Sequence, residues 1–229
     1  MTIGPFKGTM RVTSVFPDGR NLWQRYRMLR IFLNFISSIS NHRRLVFADE
    51  KPMKEKMIYG TVRRDVQKGT TPAHKCKSVN SKNALNILTA VNIKGGGVPP
   101  VYSKVVDTVK TNASVFIHFV RLLLVSKVLV RGDIFIVDNC TVHLKGDNIG
   151  IQEELFQNHG ILMITLPPYH PDFNPTELVF ALLVRRLSCD RARYNSLATE
   201  DFTKAVEIEL DNFDLNDVVA FYRRCGYYY

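Results

Sequence analysis

The chain has 229 residues, 45% of them hydrophobic, with 31 Lys and Arg residues against 21 Asp and Glu residues. This length suits one domain with a substantial core, and the net charge of +10 favours a polyanionic partner such as nucleic acid. Four widely separated cysteines without a CxxC pair disfavour a thiolate zinc site. No apolar leader opens the sequence, and no uninterrupted apolar stretch of about 18 residues predicts a membrane-spanning helix.

The first half of the chain predicts one helix followed by strands. Residues 1–20 lack periodicity and are interpreted as loop, whereas residues 21–40 place apolar side chains at helical spacing. Leu45–Asp49 is predicted as a short buried strand, Tyr59–Val66 as a strand at an exposed position of the sheet, and Asn86–Ile93 as another strand. The glycine run that follows the third strand predicts a turn rather than a phosphate-binding loop, because no Gly-Lys-Ser/Thr follows it.

The second half of the chain alternates helix and strand. The predicted elements are a helix over residues 112–130, a strand over Ile134–Asp138, a helix over Asp147–His159, a strand over Ile161–Leu166, and helices over Asn174–Leu187 and Thr199–Asp211. Gly160 closes the second of these helices, and the aromatic tail from Val218 to Tyr229 is expected to pack back on the core. Strands dominate the first half of the chain, and helices and strands alternate in the second half. This order predicts an α/β fold, with a mixed sheet flanked by helices.

Two of the predicted strands end in an aspartate. Asp49 and Asp138 each follow four apolar residues, which places them at the C-terminal ends of buried strands. If these strands pair in parallel, they lie about 4.8 Å apart, and one of two such close carboxyl groups tends to keep its proton. Bound Mg²⁺ or Mn²⁺ would relieve the repulsion. Taken singly, either aspartate also fits an ordinary first loop residue.

A third acid, Glu177, follows a proline-rich segment. Asn174-Pro175-Thr176-Glu177 has the pattern of a helix start, with Asn as the N-cap and Glu at the third position. A capping box would explain that glutamate without any catalysis. A capping box does not explain the proline-rich segment from Pro167 to Pro175 that precedes the helix. These prolines would restrict the conformation of the loop and so fix the position of the first helical turn. The positive end of the helix dipole favours an ionised glutamate there.

Three segments carry a resemblance to a known family. Asp138-Asn139-Cys140-Thr141-Val142-His143 resembles the Asp-Asn-Ala-x-x-His element of the DDE transposases of the Tc/mariner superfamily. The segment from Leu166 to Phe180 is similar to their Leu-Pro-Pro-Tyr-Ser-Pro-Asp-Leu-Asn-Pro-Ile-Glu-x-x-Trp segment, and Val46–Glu50 looks like their first acidic strand. The resemblance covers roughly residues 40–190.

The resemblance implies a ribonuclease H-like fold with the strands of Asp49 and Asp138 side by side. It implies two divalent ions, Mg²⁺ or Mn²⁺, held by Asp49, Asp138 and Glu177. The implied reactions are hydrolytic nicking of double-stranded DNA at transposon ends and attack of the freed 3′-hydroxyl on target DNA. It further implies a nuclear protein and a homodimer. Glu50 points to the opposite face of its strand and is not predicted as a ligand.

The domain organisation is predicted as an N-terminal loop and helix over residues 1–40, without a complete helix-turn-helix module, followed by a DDE catalytic domain over residues 41–229. Asn139 and His143 are candidates for contacts behind the metal ligands, although a turn residue and a buried or capping histidine explain them as well. The candidate phosphate contacts are Lys51, Lys54, Lys56, Arg63, Arg64, Lys75 and Lys77. A solvated charged face is the alternative for this set.

Two other functions compete with a metal-dependent nuclease and transposase. One is a transposase-derived protein, inactive or truncated, that binds DNA without cutting it. The other is a hydrolase of the same fold that acts on RNA, which the proline-rich segment disfavours. Divalent-dependent cleavage of DNA separates the first alternative from the enzyme.

Overall fold

The computed structural model describes residues 22–39, 44–54, 84–106, 112–138, 147–167, 170–189 and 199–227. Within them the helices are α1 (Leu22–Ile39), α2 (Ala113–Val125), α3 (Asp147–His159), α4 (Pro175–Cys189), α5 (Thr199–Asp211) and α6 (Leu215–Arg224). The strands are β1 (Leu45–Lys54), β2 (Ala84–Val91), β3 (Val101–Val106), β4 (Ile134–Val137) and β5 (Leu162–Thr165). None of the described helices has both the length and the apolar character to cross a membrane.

The strands form one mixed sheet in the order β3-β2-β1-β4-β5. Strands β1, β2 and β3 are antiparallel neighbours, whereas β4 runs parallel to both β1 and β5. Strand β4 consists of four fully apolar residues, all buried, which is the pattern expected of a strand covered on both faces. The predicted α/β class and the side-by-side placement of β1 and β4 are confirmed.

Alternation along each strand divides the core between the two faces of the sheet. In β1, Leu45 and Phe47 pack on one face with α1, α4, α5 and α6, and we call this the site face. Val46 and Ala48 pack on the opposite face with α2 and α3. The N-terminal helix belongs to the site-face core through Ile36, which is fully buried.

Two tyrosines of the C-terminal segment form hydrogen bonds with backbone carbonyl groups on the site face of the sheet. The hydroxyl oxygen of Tyr222 in α6 lies 2.8 Å from the carbonyl oxygen of Leu45 and 2.9 Å from that of Val91. Its single proton is shared between these two acceptors, which links β1 to the end of β2. The hydroxyl of Tyr227 donates to the carbonyl oxygen of Phe173 at 2.8 Å, just before α4. Both side chains are fully buried, so the predicted packing of the aromatic tail is confirmed.

Several predicted boundaries were wrong for physical reasons. Helix α2 ends at Val125 instead of residue 130, because Lys127 adopts a left-handed φ of 57° and turns the chain. Strand β1 continues past Asp49 to Lys54, since the antiparallel partner β2 extends alongside it. Pro52 is tolerated there because this part of β1 is paired only with β2 within the described sheet.

Two elements were not predicted at all. Strand β3 directly follows a pair of prolines, Pro99 and Pro100. Helix α6 begins at an Asp214 N-cap whose side chain accepts the amide of Asp217 at 2.8 Å, a signal that the sequence does contain. The strand predicted over Tyr59–Val66 falls in a part of the chain that is not described.

Glycines with positive φ shape two turns. Gly95–Gly97, with φ from 67° to 88°, connect β2 to β3, which confirms the turn interpretation of this run. Gly132 precedes β4 with φ 84°, and a Cβ atom there would collide with Nη1 of Arg44. That guanidinium nitrogen donates to the carbonyl oxygen of Arg131 at 3.1 Å, so the turn depends on the missing side chain.

Candidate active site

The register of the parallel strands brings Asp49 and Asp138 to the same level of the sheet. Leu45 pairs with Ile134, and the ladder continues to Ala48 opposite Val137. Each aspartate is the next residue along its strand direction, and both are half-buried. Strand alternation directs both to the site face. The prediction that the two acids lie side by side on neighbouring parallel strands is therefore confirmed. Asp138 directly follows the last residue of β4, whereas Asp49 does not end its strand, because β1 continues to Lys54.

Helix α4 begins at the site face and carries Glu177 in its first turn. Asn174 precedes the helix, and its side-chain oxygen accepts the amide of Thr176 at 3.2 Å, as an N-cap does. Oε2 of Glu177 lies 3.1 Å from Nζ of Lys51, two residues beyond Asp49 on β1. The capping-box alternative does not describe this glutamate, because its carboxylate pairs with a lysine of the sheet.

The loop before α4 is tied directly to the Asp49 carboxylate. Nδ2 of Asn174 donates to Oδ2 of Asp49 at 2.9 Å, and Oγ1 of Thr176 lies 3.4 Å from the same oxygen. The backbone amide of Glu50 donates to Oδ1 at 2.7 Å. The sequence indicated the cap formed by Asn174 but missed the partner of its amide nitrogen, because cap patterns carry no information about long-range contacts.

The three acids influence one another electrostatically. Burial, followed by the negative charges of Asp138 and Glu177, raises the pKa of Asp49 from its ordinary value of 3.8 to about 8. The amide of Glu50 and the ammonium group of Lys51 oppose this rise only in part. The raised pKa of Asp49 agrees with the expectation that one of two neighbouring carboxyl groups tends to keep its proton.

Carboxylate oxygens are the donors that Mg²⁺ and Mn²⁺ prefer, so the chemistry of this donor set fits a divalent ion. Across the described segments, however, no three acidic, histidine or cysteine side chains are arranged as a metal-holding group. The ammonium group of Lys51 supplies positive charge at Glu177 instead. The metal-ligand roles of Asp49, Asp138 and Glu177 stay a prediction that the residue types support.

The remaining predicted site residues divide into two groups. Lys54 is exposed at the end of β1, where it is accessible to a phosphate. The others belong to parts of the chain whose structure is not described, namely Asn139, His143, Lys56, Arg63, Arg64, Lys75 and Lys77.

Residues 44–199 match the family model of the DDE superfamily endonucleases, whereas no curated protein matches the chain. The catalytic domain of Mos1 mariner transposase matches with a TM-score of 0.61 at 17% identity, covering 92% of this chain and 90% of that one. A Mos1 mariner paired end complex with Mn matches with a TM-score of 0.66 at 18% identity, covering 92% of this chain and 60% of the other.

A pre-cleavage Mos1 transpososome matches with a TM-score of 0.64 at 17% identity, covering 89% of this chain and 58% of that one. The chain thus spans less than two thirds of the length of the transposase chains in both Mos1 complexes. At these identities the likeness establishes the fold, and the family match establishes the membership. The chain belongs to the DDE superfamily endonucleases and has the ribonuclease H-like fold of the mariner transposase catalytic domain.

Proposed function

We propose that this chain is a transposase catalytic domain that uses two divalent ions held by Asp49, Asp138 and Glu177. It would cut DNA by hydrolysis and join the freed 3′ end to target DNA, where the 3′-hydroxyl attacks a phosphodiester and displaces an oxygen of the target strand. The observation that carries the proposal is the parallel register of β1 and β4, which sets Asp49 and Asp138 side by side. The raised pKa of Asp49 supports it, because Asp138 and Glu177 both contribute to the rise.

Two divalent ions held by Asp49, Asp138 and Glu177 would activate the attacking water or 3′-hydroxyl and would stabilise the leaving oxygen. The residues of the chain have distinct tasks around them. Asn174 and Thr176 orient the carboxylate of Asp49 through their contacts with Oδ2. Lys51 balances the charge of Glu177. Because Asn174 also caps α4, one side chain fixes both the direction of the helix and the position of the first acid.

DNA binding is proposed from charge and from the structural neighbours. The net charge of +10 favours phosphate contacts, which add affinity without sequence specificity. Among the candidate phosphate contacts that the structure describes, Lys51 pairs with Glu177. Lys54 is exposed at the end of β1, where it can contact a phosphate group. Solved Mos1 structures include a paired-end complex with the left transposon end and a strand transfer complex. By analogy, the proposed substrate is double-stranded DNA and the proposed assembly is a homodimer.

Plasmid nicking in Mg²⁺ or Mn²⁺ tests the proposal. The purified chain should nick a supercoiled plasmid, whereas Asp138→Asn should lower the rate by at least about a hundredfold because one carboxylate ligand is lost. Asp211→Asn, an exposed aspartate on α5, is the matched control and should cleave like the wild type. Equal cleavage by the wild type and Asp138→Asn would exclude the proposed site. Salt-sensitive DNA binding without cleavage by the wild type would favour the non-cutting alternative.

A further inference from the structure

Thr89 in the middle of β2 buries a hydroxyl group without a hydrogen-bond partner. Its side chain is fully buried, and Oγ1 contacts no donor or acceptor within the described structure. A buried polar group left unpaired costs free energy, so nearly all such groups in folded proteins are paired or have a functional reason. A valine would fill the same space without that cost. The unpaired hydroxyl of Thr89 therefore indicates a functional reason for a threonine at this position.

The sheet places this hydroxyl beside the first acid of the candidate site. Thr89 lies directly opposite Asp49 in the antiparallel ladder between β1 and β2. Its neighbours Ile87 and Val91 pack in the site-face core, so alternation directs Thr89 to the same face as Asp49. Opposite residues in such a ladder have Cβ atoms about 4.5–5.5 Å apart, within reach of a hydrogen bond between their side chains.

The Asp49 carboxylate has room for another donor. Its Oδ1 accepts the Glu50 amide, while its Oδ2 contacts Asn174 and Thr176. An ionised carboxylate can accept about four hydrogen bonds. A hydroxyl group that donates to a carboxylate oxygen makes a stronger hydrogen bond than one that donates to a neutral acceptor.

We propose that Thr89 is a positioning residue whose hydroxyl donates to the Asp49 carboxylate when a divalent cation binds at the site. The inference rests on the proposed metal site and adds a member to it from β2, a strand on which no site residue was predicted. Without the cation the hydroxyl remains unpaired at a cost in stability, and the hydrogen bond forms when the carboxylate is fixed as a ligand. The threonine at position 89 thus lowers the stability of the cation-free protein and strengthens the binding of the cation.

Thr89→Val separates this role from a purely structural one, because it should move two measurements in opposite directions. In EDTA its melting temperature should rise by about 2–4 °C, since an unpaired buried hydroxyl is removed. Its dissociation constant for Mn²⁺, measured by calorimetry on the whole chain without DNA, should increase about tenfold, the usual size for a lost contact behind a metal ligand.

Two further variants complete the test. Thr89→Ser keeps the hydroxyl, so it should bind Mn²⁺ nearly as the wild type does while melting about 2–4 °C lower for the lost methyl group. Thr165→Val is the matched strand control, because alternation in β5 directs Thr165 away from the site face, and its Mn²⁺ affinity should not change.

Wild-type affinity in Thr89→Val, or equal losses in Thr89→Val and Thr89→Ser, would overturn the inference. Absence of Mn²⁺ binding by the wild type would overturn it together with the metal site. The binding assay contains no DNA, so the expected pattern supports the role of Thr89 even if the chain fails to nick a plasmid. Failure of the nuclease proposal and failure of this inference are therefore distinguishable.

Discussion

Replacing Asp49 with asparagine should change how the stability of the metal-free protein depends on pH. The pKa of this carboxyl group is about 8 in the folded protein against an ordinary value of 3.8. Between these values the folded state holds a proton that the unfolded state has lost. Stability therefore falls as the pH rises through this range, and it becomes constant above the folded-state pKa. Below the ordinary pKa the carboxyl group is protonated in both the folded and the unfolded state, so it adds nothing to the pH dependence of stability.

The size of the effect follows from the width of that window. Each pH unit inside it costs about 1.4 kcal/mol of unfolding free energy, so the interval from about pH 5 to pH 8 corresponds to at most about 4 kcal/mol. We expect about 2–4 kcal/mol, because part of the rise in the pKa of Asp49 comes from the negative charges of Asp138 and Glu177, which solvent partly screens. The Asp49→Asn variant has no proton to lose at this position. Between about pH 5 and pH 8 its unfolding free energy should therefore fall by about 2–4 kcal/mol less than that of the wild type.

Urea unfolding followed by circular dichroism, in EDTA and at several pH values in this interval, measures the difference. The wild type should lose stability relative to Asp49→Asn as the pH rises, and saturating Mn²⁺ should restore the wild type at high pH because the cation replaces the proton. Asp211→Asn provides the background slope of an exposed carboxyl group. Parallel pH profiles for the wild type and Asp49→Asn would refute the electrostatic reasoning.

Three further outcomes follow from contacts described above. Lys51→Met should tighten Mn²⁺ binding roughly two- to fivefold in calorimetry, because no ammonium group competes for Glu177; unchanged affinity would contradict this. Tyr222→Phe should cost about 1–3 kcal/mol in urea unfolding by leaving two buried strand carbonyls without their donor, and an unchanged midpoint would show that they find another. Gly132→Ala should lower stability by about 1–3 kcal/mol through its positive φ, because the exposed guanidinium end of Arg44 can move away from the added Cβ atom. Thermal melting at the wild-type temperature would argue against this.

The sequence predicted the acid-bearing elements well because their signals are local. Strand β4 is a short apolar run, and the cap formed by Asn174 and Pro175 fixes the start of α4 in the structure as it did in the prediction. The bounds of α3 and α5 also agree, and Gly160 ends α3 with a φ of 62° as a helix-closing glycine does.

What the sequence missed depends on contacts between distant segments. Neither the pairing of Lys51 with Glu177 nor the bond from Asn174 to Asp49 leaves a local trace, since these partners are 126 and 125 residues apart. The position of Thr89 opposite Asp49 follows from strand register, which no pattern within β2 specifies. The aligned carboxylates were predicted from strand ends, but their hydrogen-bonded surroundings required the tertiary structure.

The central parallel pair also has a kinetic consequence. Strand β1 can pair with β2 soon after both are synthesised, whereas its other edge must wait for β4, whose first residue pairs with one 89 positions earlier. Closing so large a loop is slow compared with forming a hairpin, and an open strand edge can pair with a neighbouring molecule in the meantime. Asp49 and Asp138 come side by side only when β4 pairs with β1, so the candidate catalytic centre is completed in that long-range step.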